Sequence, residues 1–206
     1  FDANAYIKSG LYKKVIVVCA EKMSSMVNYE DRATCPLFGD GAAAVLMEPT
    51  EEPVGFVDGV FHVDGSGLEH LVYKAGGSAH PTTHETVDAK ENCLYQEGRA
   101  VYKSAVMDMF NSSKEVMERN NLKIEDVKWF VPHQANLRII EAVGSRLGLS
   151  EEQVLVNIQK VGNTSAASIP ICLDHNKGKL KKGDKIVLTA FGAGFTWGAS
   201  YLIWGM

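Results

Sequence analysis

The stretch Val127-Lys128-Trp129-Phe130-Val131-Pro132-His133-Gln134-Ala135-Asn136-Leu137-Arg138-Ile139-Ile140 decides the fold. Its first five residues form a short apolar run that reads as a buried strand, stopped by Pro132 because proline has no N–H to give to a ladder. From Leu137 the period changes. Leu137, Ile140, Ala142, Val143 and Leu147 fall on one face of an amphipathic helix that Gly148 closes. A strand that passes to a helix through a few polar residues is half of an α/β unit.

Working outward, the same alternation continues on both sides. Tyr102, Val106, Met109, Ser113 and Val116/Met117 recur at helical spacing and predict a long helix from Gly98 to Asn120-Asn121. Ser150-Glu151-Glu152-Gln153 has the form of a capping box, and Val154 to Ile158 reads as the next strand. Gly162-Asn163-Thr164-Ser165 turns into a helix through Leu173, and Lys185–Ala190 and Ala199–Trp204 read as the last two strands. Helices covering a mixed sheet follow from this order. Upstream, Phe1 to Gly10 reads as the end of a helix. Lys14–Ala20 is an apolar, β-branched run of the kind buried on both faces of a parallel sheet, and Phe38–Met47 is a glycine turn followed by a strand. Residues 51–97 are looser, with a strand or two and a surface loop around Gly76 to Ala89. The expected organisation is residues 1–50 as the tail of one α/β unit, 51–97 as connecting strands and loop, and 98–206 as a complete second unit. On this reading Phe1 lies inside a longer protein's text.

Composition bounds the function. The chain has 206 residues, 46% hydrophobic and 22% charged, with 21 Lys+Arg against 25 Asp+Glu for a net charge of −4. This is ordinary globular composition with no basic footprint for nucleic acid. No apolar run reaches the roughly 18 residues that span a bilayer. Cys19, Cys35, Cys93 and Cys172 show no framework spacing and fit a reducing, cytoplasmic compartment.

In open α/β sheets ligands bind beyond the carboxyl ends of strands, where three polar or glycine-rich segments fall here: Pro132–Asn136, Val161–Ser165 and Phe191–Gly194. His133, directly after a strand, reads either as a satisfied structural histidine or as a neutral imidazole able to give or take a proton. Asn163 reads either as a plain turn residue or as an amide donor to a developing oxyanion. The Gly192-Ala193-Gly194 turn can offer backbone N–H groups to the same kind of oxygen. Two motifs are set aside. Gly39-Asp40-Gly41-Ala42-Ala43-Ala44 matches the dinucleotide fingerprint, but a strand and not a helix follows it. His80-Pro81-Thr82-Thr83-His84 has a zinc-like spacing, but it holds a proline and lacks a cysteine pair.

Asp31–Thr34 leading into Leu37–Ala42, Val131–Ile140, Gly162–Pro170 and Ala190–Gly198 together resemble the beta-ketoacyl-acyl carrier protein synthase III family of the thiolase-like superfamily. The resemblance implies a layered α/β/α/β/α fold, here the complete C-terminal half plus the tail of the N-terminal half. It implies an acyltransferase that condenses an acyl-CoA starter with malonyl-acyl carrier protein, initiating fatty acid synthesis as a cytoplasmic homodimer. Acyl-CoA would be a substrate, and no cofactor, metal, nucleic acid or membrane is implied. Of the family's Cys-His-Asn triad, His133 and Asn163 match the last two. Ala193 matches the oxyanion turn, and Arg32, Asn136 and Arg138 resemble positions that contact CoA or the carrier protein. Phe38 and Gln96 lie where the family lines its acyl pocket, with Gln96-Glu97-Gly98 standing for a usual Met-x-Gly. The family's Ala-Cys-x-Gly-Phe nucleophile segment has no counterpart in these residues, so the chain by itself is expected to be inactive. The rival expectations are another thiolase-fold condensing enzyme, of polyketide or quinolone type, and a non-catalytic binding or structural fragment.

Overall fold

The computed structural model describes all 206 residues. Helix α1 (Asp2–Lys8) leads through a left-handed Gly10 into strand β1 (Val15–Lys22), which is followed by β2 (Asp40–Met47) and β3 (Gly55–Val63). Two short pairing segments, β4 (Leu71–Val72) and β5 (Tyr95–Gln96), bracket a one-turn helix α2 (His84–Asp88). Then come α3 (Gly98–Arg119), β6 (Trp129–Pro132), α4 (Leu137–Leu147), α5 (Ile158–Val161), α6 (Ser168–His175), β7 (Lys185–Gly192) and β8 (Thr196–Ile203).

The main sheet has the order β3-β8-β7-β6. It is mixed, with β6 and β7 parallel and the other neighbours antiparallel. Strand β3, in the segment read as connecting, pairs with β8 over nearly its whole length, so the sheet begins upstream of residue 98. Helix α3 lies across β7 and β8 and meets α4. Its inward face is wider than the spacing indicated: Val101, Ala105, Val106, Met109, Ser112, Ser113, Val116 and Met117 are all buried. The two serines are tolerated there because Ser112 Oγ donates to the Asp108 carbonyl at 2.8 Å and Ser113 Oγ to the Met109 carbonyl at 2.7 Å. Phe130, Val187, Phe191, Ala199 and Tyr201 complete this core from the sheet side. Helix α4 buries Ile139, Ile140, Val143 and Gly144, while Leu137, Ala142 and Leu147 sit half-buried at its margins. Gly148, at φ +77°, takes the left-handed turn that ends it.

Two expectations fail. Val154–Ile158 is not a strand: it makes a single bridge, Val154 to Phe130, before α5 begins. The Gln134 side chain takes the places that ladder partners would have. Its Nε2 donates to the Leu155 carbonyl at 3.3 Å and its Oε1 accepts from the Asn157 N–H at 2.9 Å. A buried amide that satisfies backbone groups on the passing chain removes the need for a sheet rung. The second failure is β1. It pairs antiparallel with β2 in a separate two-stranded sheet, and it is not buried on both faces. Ile16 and Val18 are 65% and 66% exposed. The hairpin is covered where α6, the turn Ser165–Ala167 and α1 pack against it, and its Ile16 and Val18 side chains lie outside that cover.

Candidate active site

Strand β6 delivers His133 to the carboxyl end of the main sheet. The His133 N–H donates to the Thr189 carbonyl at 2.7 Å, adding one rung to the parallel β6–β7 ladder and fixing the backbone. The imidazole Nδ1 lies 2.6 Å from Ser168 Oγ, at the start of α6. Burial pushes the imidazole down to about 4, so the ring is neutral at pH 7.

Asn163 arrives from a different element and is pinned from the hairpin side. Its N–H donates to the Leu37 carbonyl at 2.8 Å, and its carbonyl accepts from the Gly39 N–H at 2.9 Å, which makes a parallel bridge with Phe38. This close approach needs glycine on both chains. A Cβ on Gly39 would stand 2.0 Å from the Val161 carbonyl oxygen, and one on Gly162 would stand 3.1 Å from the Leu37 carbonyl oxygen at a φ of +69°. The Asn163 Oδ1 accepts from the Ser165 N–H at 2.9 Å, with Ser165 itself at φ +48°. The carbonyl end of the amide is therefore committed, and the two amide N–H donors remain for the cavity.

His133 and Asn163 line one cavity of about 450 Å³. Asn136, Arg138, Arg99 and Gln96 supply its other polar groups, and Leu37, Tyr102, Met109 and Phe191 supply apolar wall. Asn136 caps α4, its Oδ1 accepting from the Arg138 N–H at 2.9 Å. The Arg138 guanidinium lies 5.5 Å from the centre of the Tyr102 ring, an arrangement that orders an otherwise free cation at the rim. A second, more open cavity of about 590 Å³ shares His133 and Phe191 with the first and is walled by Ala166, Ile169, Leu188 and Trp197. His133 thus sits in the partition between two spaces.

Of the residues singled out from sequence, His133, Asn163, Asn136, Arg138 and Gln96 come together in the first cavity. Arg32 is exposed in the turn Asp31–Thr34, beside Ala33, which does line the cavity. That turn is held by the Asp31 carboxylate, which accepts from the Thr34 hydroxyl and the Ala33 N–H and is lowered by them. Phe38 uses its backbone in the bridge to Asn163, and Leu37 is the neighbour that forms wall. Ala193 is exposed at the tip between β7 and β8 and lines neither cavity. Arg99, Tyr102 and Ser168 were not singled out, since each is an ordinary helix residue until packing brings it to the site. Gly39–Ala44 runs into β2, as the rejection of a dinucleotide loop requires, and His80 pairs with Glu91 at 2.8 Å.

None of the four cysteines lines either cavity. Cys172 is buried in α6 with its thiol pushed up to about 12 by burial, and burial also raises Cys19 in β1. Neither is a thiolate at neutral pH.

Comparison with known proteins places this geometry. Two family profiles match the chain, described as 3-oxoacyl-(acyl-carrier-protein) synthase III over residues 2–65 and as the C terminal of the same synthase over residues 117–204. The beta-ketoacyl-(acyl-carrier-protein) synthase III of Porphyromonas gingivalis is 60% identical over 199 residues, 97% of this chain and 59% of that protein. Synthase III 2 of Bacteroides thetaiotaomicron is 58% identical over 203 residues, 98% of this chain and 61% of that protein. The crystal structure of the Thermus thermophilus synthase III superposes with a TM-score of 0.89 at 41% identity, covering 99% of this chain and 63% of that one. The fold is the mixed α/β, thiolase-like fold of these synthases. The chain spans about three fifths of the length of the relatives it matches.

Proposed function

The chain belongs to the 3-oxoacyl-(acyl-carrier-protein) synthase III family, and from that premise we propose that its cavity carries out the decarboxylating half of a Claisen condensation. A malonyl thioester, on CoA or on acyl carrier protein, enters past Arg138 and Asn136 and brings its thioester oxygen to His133 and Asn163. The bond to the terminal carboxylate breaks and CO₂ leaves. The electron pair moves into the α-carbon and carbonyl, and the charge gathers on the thioester oxygen. Two neutral donors fixed beforehand stabilise that charge more than water does, because they need no reorganisation in a partly desolvated cavity. The enolate carbon then attacks an acyl thioester carbonyl, a carbon–carbon bond forms, and the acyl–sulfur bond breaks with departure of the thiolate.

That second step needs an acylated cysteine, and the placement of Cys19, Cys35, Cys93 and Cys172 away from both cavities supports the reading that the thiol comes from outside these 206 residues. The open second cavity gives such a segment access to the far side of His133. The 206-residue chain then holds the decarboxylation donors without the acyl-transfer nucleophile. Acyl-CoA as starter, acidic acyl carrier protein docking near Arg138, a cytoplasmic homodimer and a role in starting fatty acid synthesis are proposed with it. The family identity at 60% supports the fatty acid initiator over a polyketide or quinolone condensing enzyme.

The convergence of His133 and Asn163 on one cavity carries this proposal. Release of CO₂ from malonyl-CoA by the chain tests it. The chain is expected to exceed the buffer rate, and His133→Ala and Asn163→Ala are each expected to lose about 10²–10³-fold, the usual cost of removing one oxyanion donor. Equal rates for the unaltered chain and either variant contradict it. Incubation with acetyl-CoA followed by intact-mass measurement is expected to show no acyl group on any cysteine.

A further inference from the structure

We propose that Ser168 is a positioning residue that sets the tautomer of His133, keeping Nδ1 bare and the ring proton on Nε2, where it faces substrate. The argument is an accounting of one hydroxyl. Ser168 is fully buried at the start of α6, with its Oγ 2.6 Å from His133 Nδ1 and 3.3 Å from the backbone nitrogen of Gln134. The Gln134 N–H can only donate, so Ser168 Oγ accepts from it. The hydroxyl proton then has one acceptor within reach, His133 Nδ1, and donating to it requires that this nitrogen carry no proton. In the opposite tautomer Ser168 Oγ would accept from two N–H groups while its own proton pointed at nothing. A buried donor without a partner is costly enough to populate one tautomer strongly over the other.

The donor that fixes this sense is itself rigid. The Gln134 side chain is fully buried. Its Nε2 donates to the Pro132 carbonyl at 2.7 Å and to the Leu155 carbonyl at 3.3 Å, and its Oε1 accepts from the Asn157 N–H at 2.9 Å. The backbone leading into Gln134 is therefore held against the passing 155–157 segment, which keeps its N–H on Ser168. With Nδ1 held by the serine, Nε2 is the ring nitrogen left for the cavity. It is an N–H donor there and not a base. Asn163 is a donor at the same cavity through its amide nitrogen, so both groups present hydrogens to one developing oxyanion. The catalytic use of Nε2–H rests on the condensation reading above, whereas the tautomer itself does not.

The test is a two-bond ¹H–¹⁵N correlation spectrum of the histidine-labelled 206-residue chain at neutral pH, with the His133 ring assigned by its loss in His133→Ala. The expected pattern has a protonated Nε2 and an unprotonated Nδ1. A protonated Nδ1 in the unaltered chain overturns the proposal without recourse to any variant. In Ser168→Ala the ring is expected to shift to a mixture of tautomers, and Ser168→Thr, which keeps the hydroxyl, is expected to restore the single form. An unchanged tautomer in a folded Ser168→Ala also overturns it. CO₂ release separates the two readings. Loss of rate in Ser168→Ala at unchanged KM, restored by Ser168→Thr, supports both. A changed tautomer with an unchanged rate leaves Ser168 as the positioning group and counts against the role of Nε2–H in condensation.

Discussion

The β1–β2 hairpin and the β3-β8-β7-β6 sheet carry the same kind of apolar text and end in opposite environments. Lys14-Val15-Ile16-Val17-Val18 and Lys185-Ile186-Val187-Leu188 are alike in composition, each a lysine followed by aliphatic residues. Yet Ile16 and Val18 are about two-thirds exposed, while Ile186 and Val187 are completely buried. A continuous β-branched run reports a strand that can accept cover on both faces. Whether cover is present depends on the layers packed against it: α3, backed by α4, and α6 for the main sheet, and α6 with its preceding turn and the short α1 for the hairpin. The two regions nevertheless share the site, because Asn163 is tied by its backbone to Leu37 and Gly39 on the hairpin side while His133 hangs from the main sheet.

The comparison breaks first at stability. Phe130→Ala, in the buried main sheet, is expected to cost about 3–5 kcal/mol, the range for removing a buried aromatic ring and leaving its cavity. Ile16→Ala on the hairpin is expected to cost less than about 0.5 kcal/mol, as surface substitutions do. Urea unfolding followed by circular dichroism measures both, and similar costs would mean that the hairpin face is covered in solution.

Acid comes next. The folded chain holds His133 at about 4, while an unfolded histidine titrates near 6.5, so the unfolded state binds the extra proton as pH falls between these values. Stability is expected to decline by about 3 kcal/mol from pH 6.5 to pH 4, on the side of the main sheet. His133→Gln removes that decline. Asp31, Asp40, Asp64 and Asp126, all lowered by hydrogen bonds, lose their contribution only further down, as pH falls from the ordinary carboxylate range through their lowered values. Denaturation midpoints measured across this window separate the two effects.

A change smaller than the Phe130 or the acid effect is expected on the seam. Gly39→Ala drives a methyl toward the Val161 carbonyl and is expected to cost about 1–3 kcal/mol, the range for overpacking. It is also expected to lower CO₂ release, since Asn163 shifts with its partner strand. Loss of stability without loss of rate would show that the hairpin does not position Asn163.

Much of this was legible in the sequence where the signal was local. The change of period from Trp129–Val131 to Leu137–Leu147, the Gly148 stop and the Ser150–Gln153 capping box each depend on neighbours within one turn, and each is present. Val154–Ile158 was misread because Gln134, some twenty residues away, takes its ladder partners. The exposure of β1 within these 206 residues was illegible because burial belongs to the packed layers and not to the strand. His133 and Asn163 stood out by their position after strands and turns. Arg99, Tyr102 and Ser168 did not, because a helix residue becomes a site residue only when tertiary packing aims it. The cavity also uses Leu37, one residue before the phenylalanine that the motif pointed to.

The central claim is that two residues from two regions act on one oxygen, and a double variant tests it most directly. Groups that work as a unit are strongly non-additive in rate. CO₂ release from malonyl-CoA by His133→Ala/Asn163→Ala is predicted to match the slower of the two single variants. A rate equal to the product of the two single losses would mean that they act independently, and would contradict the claim.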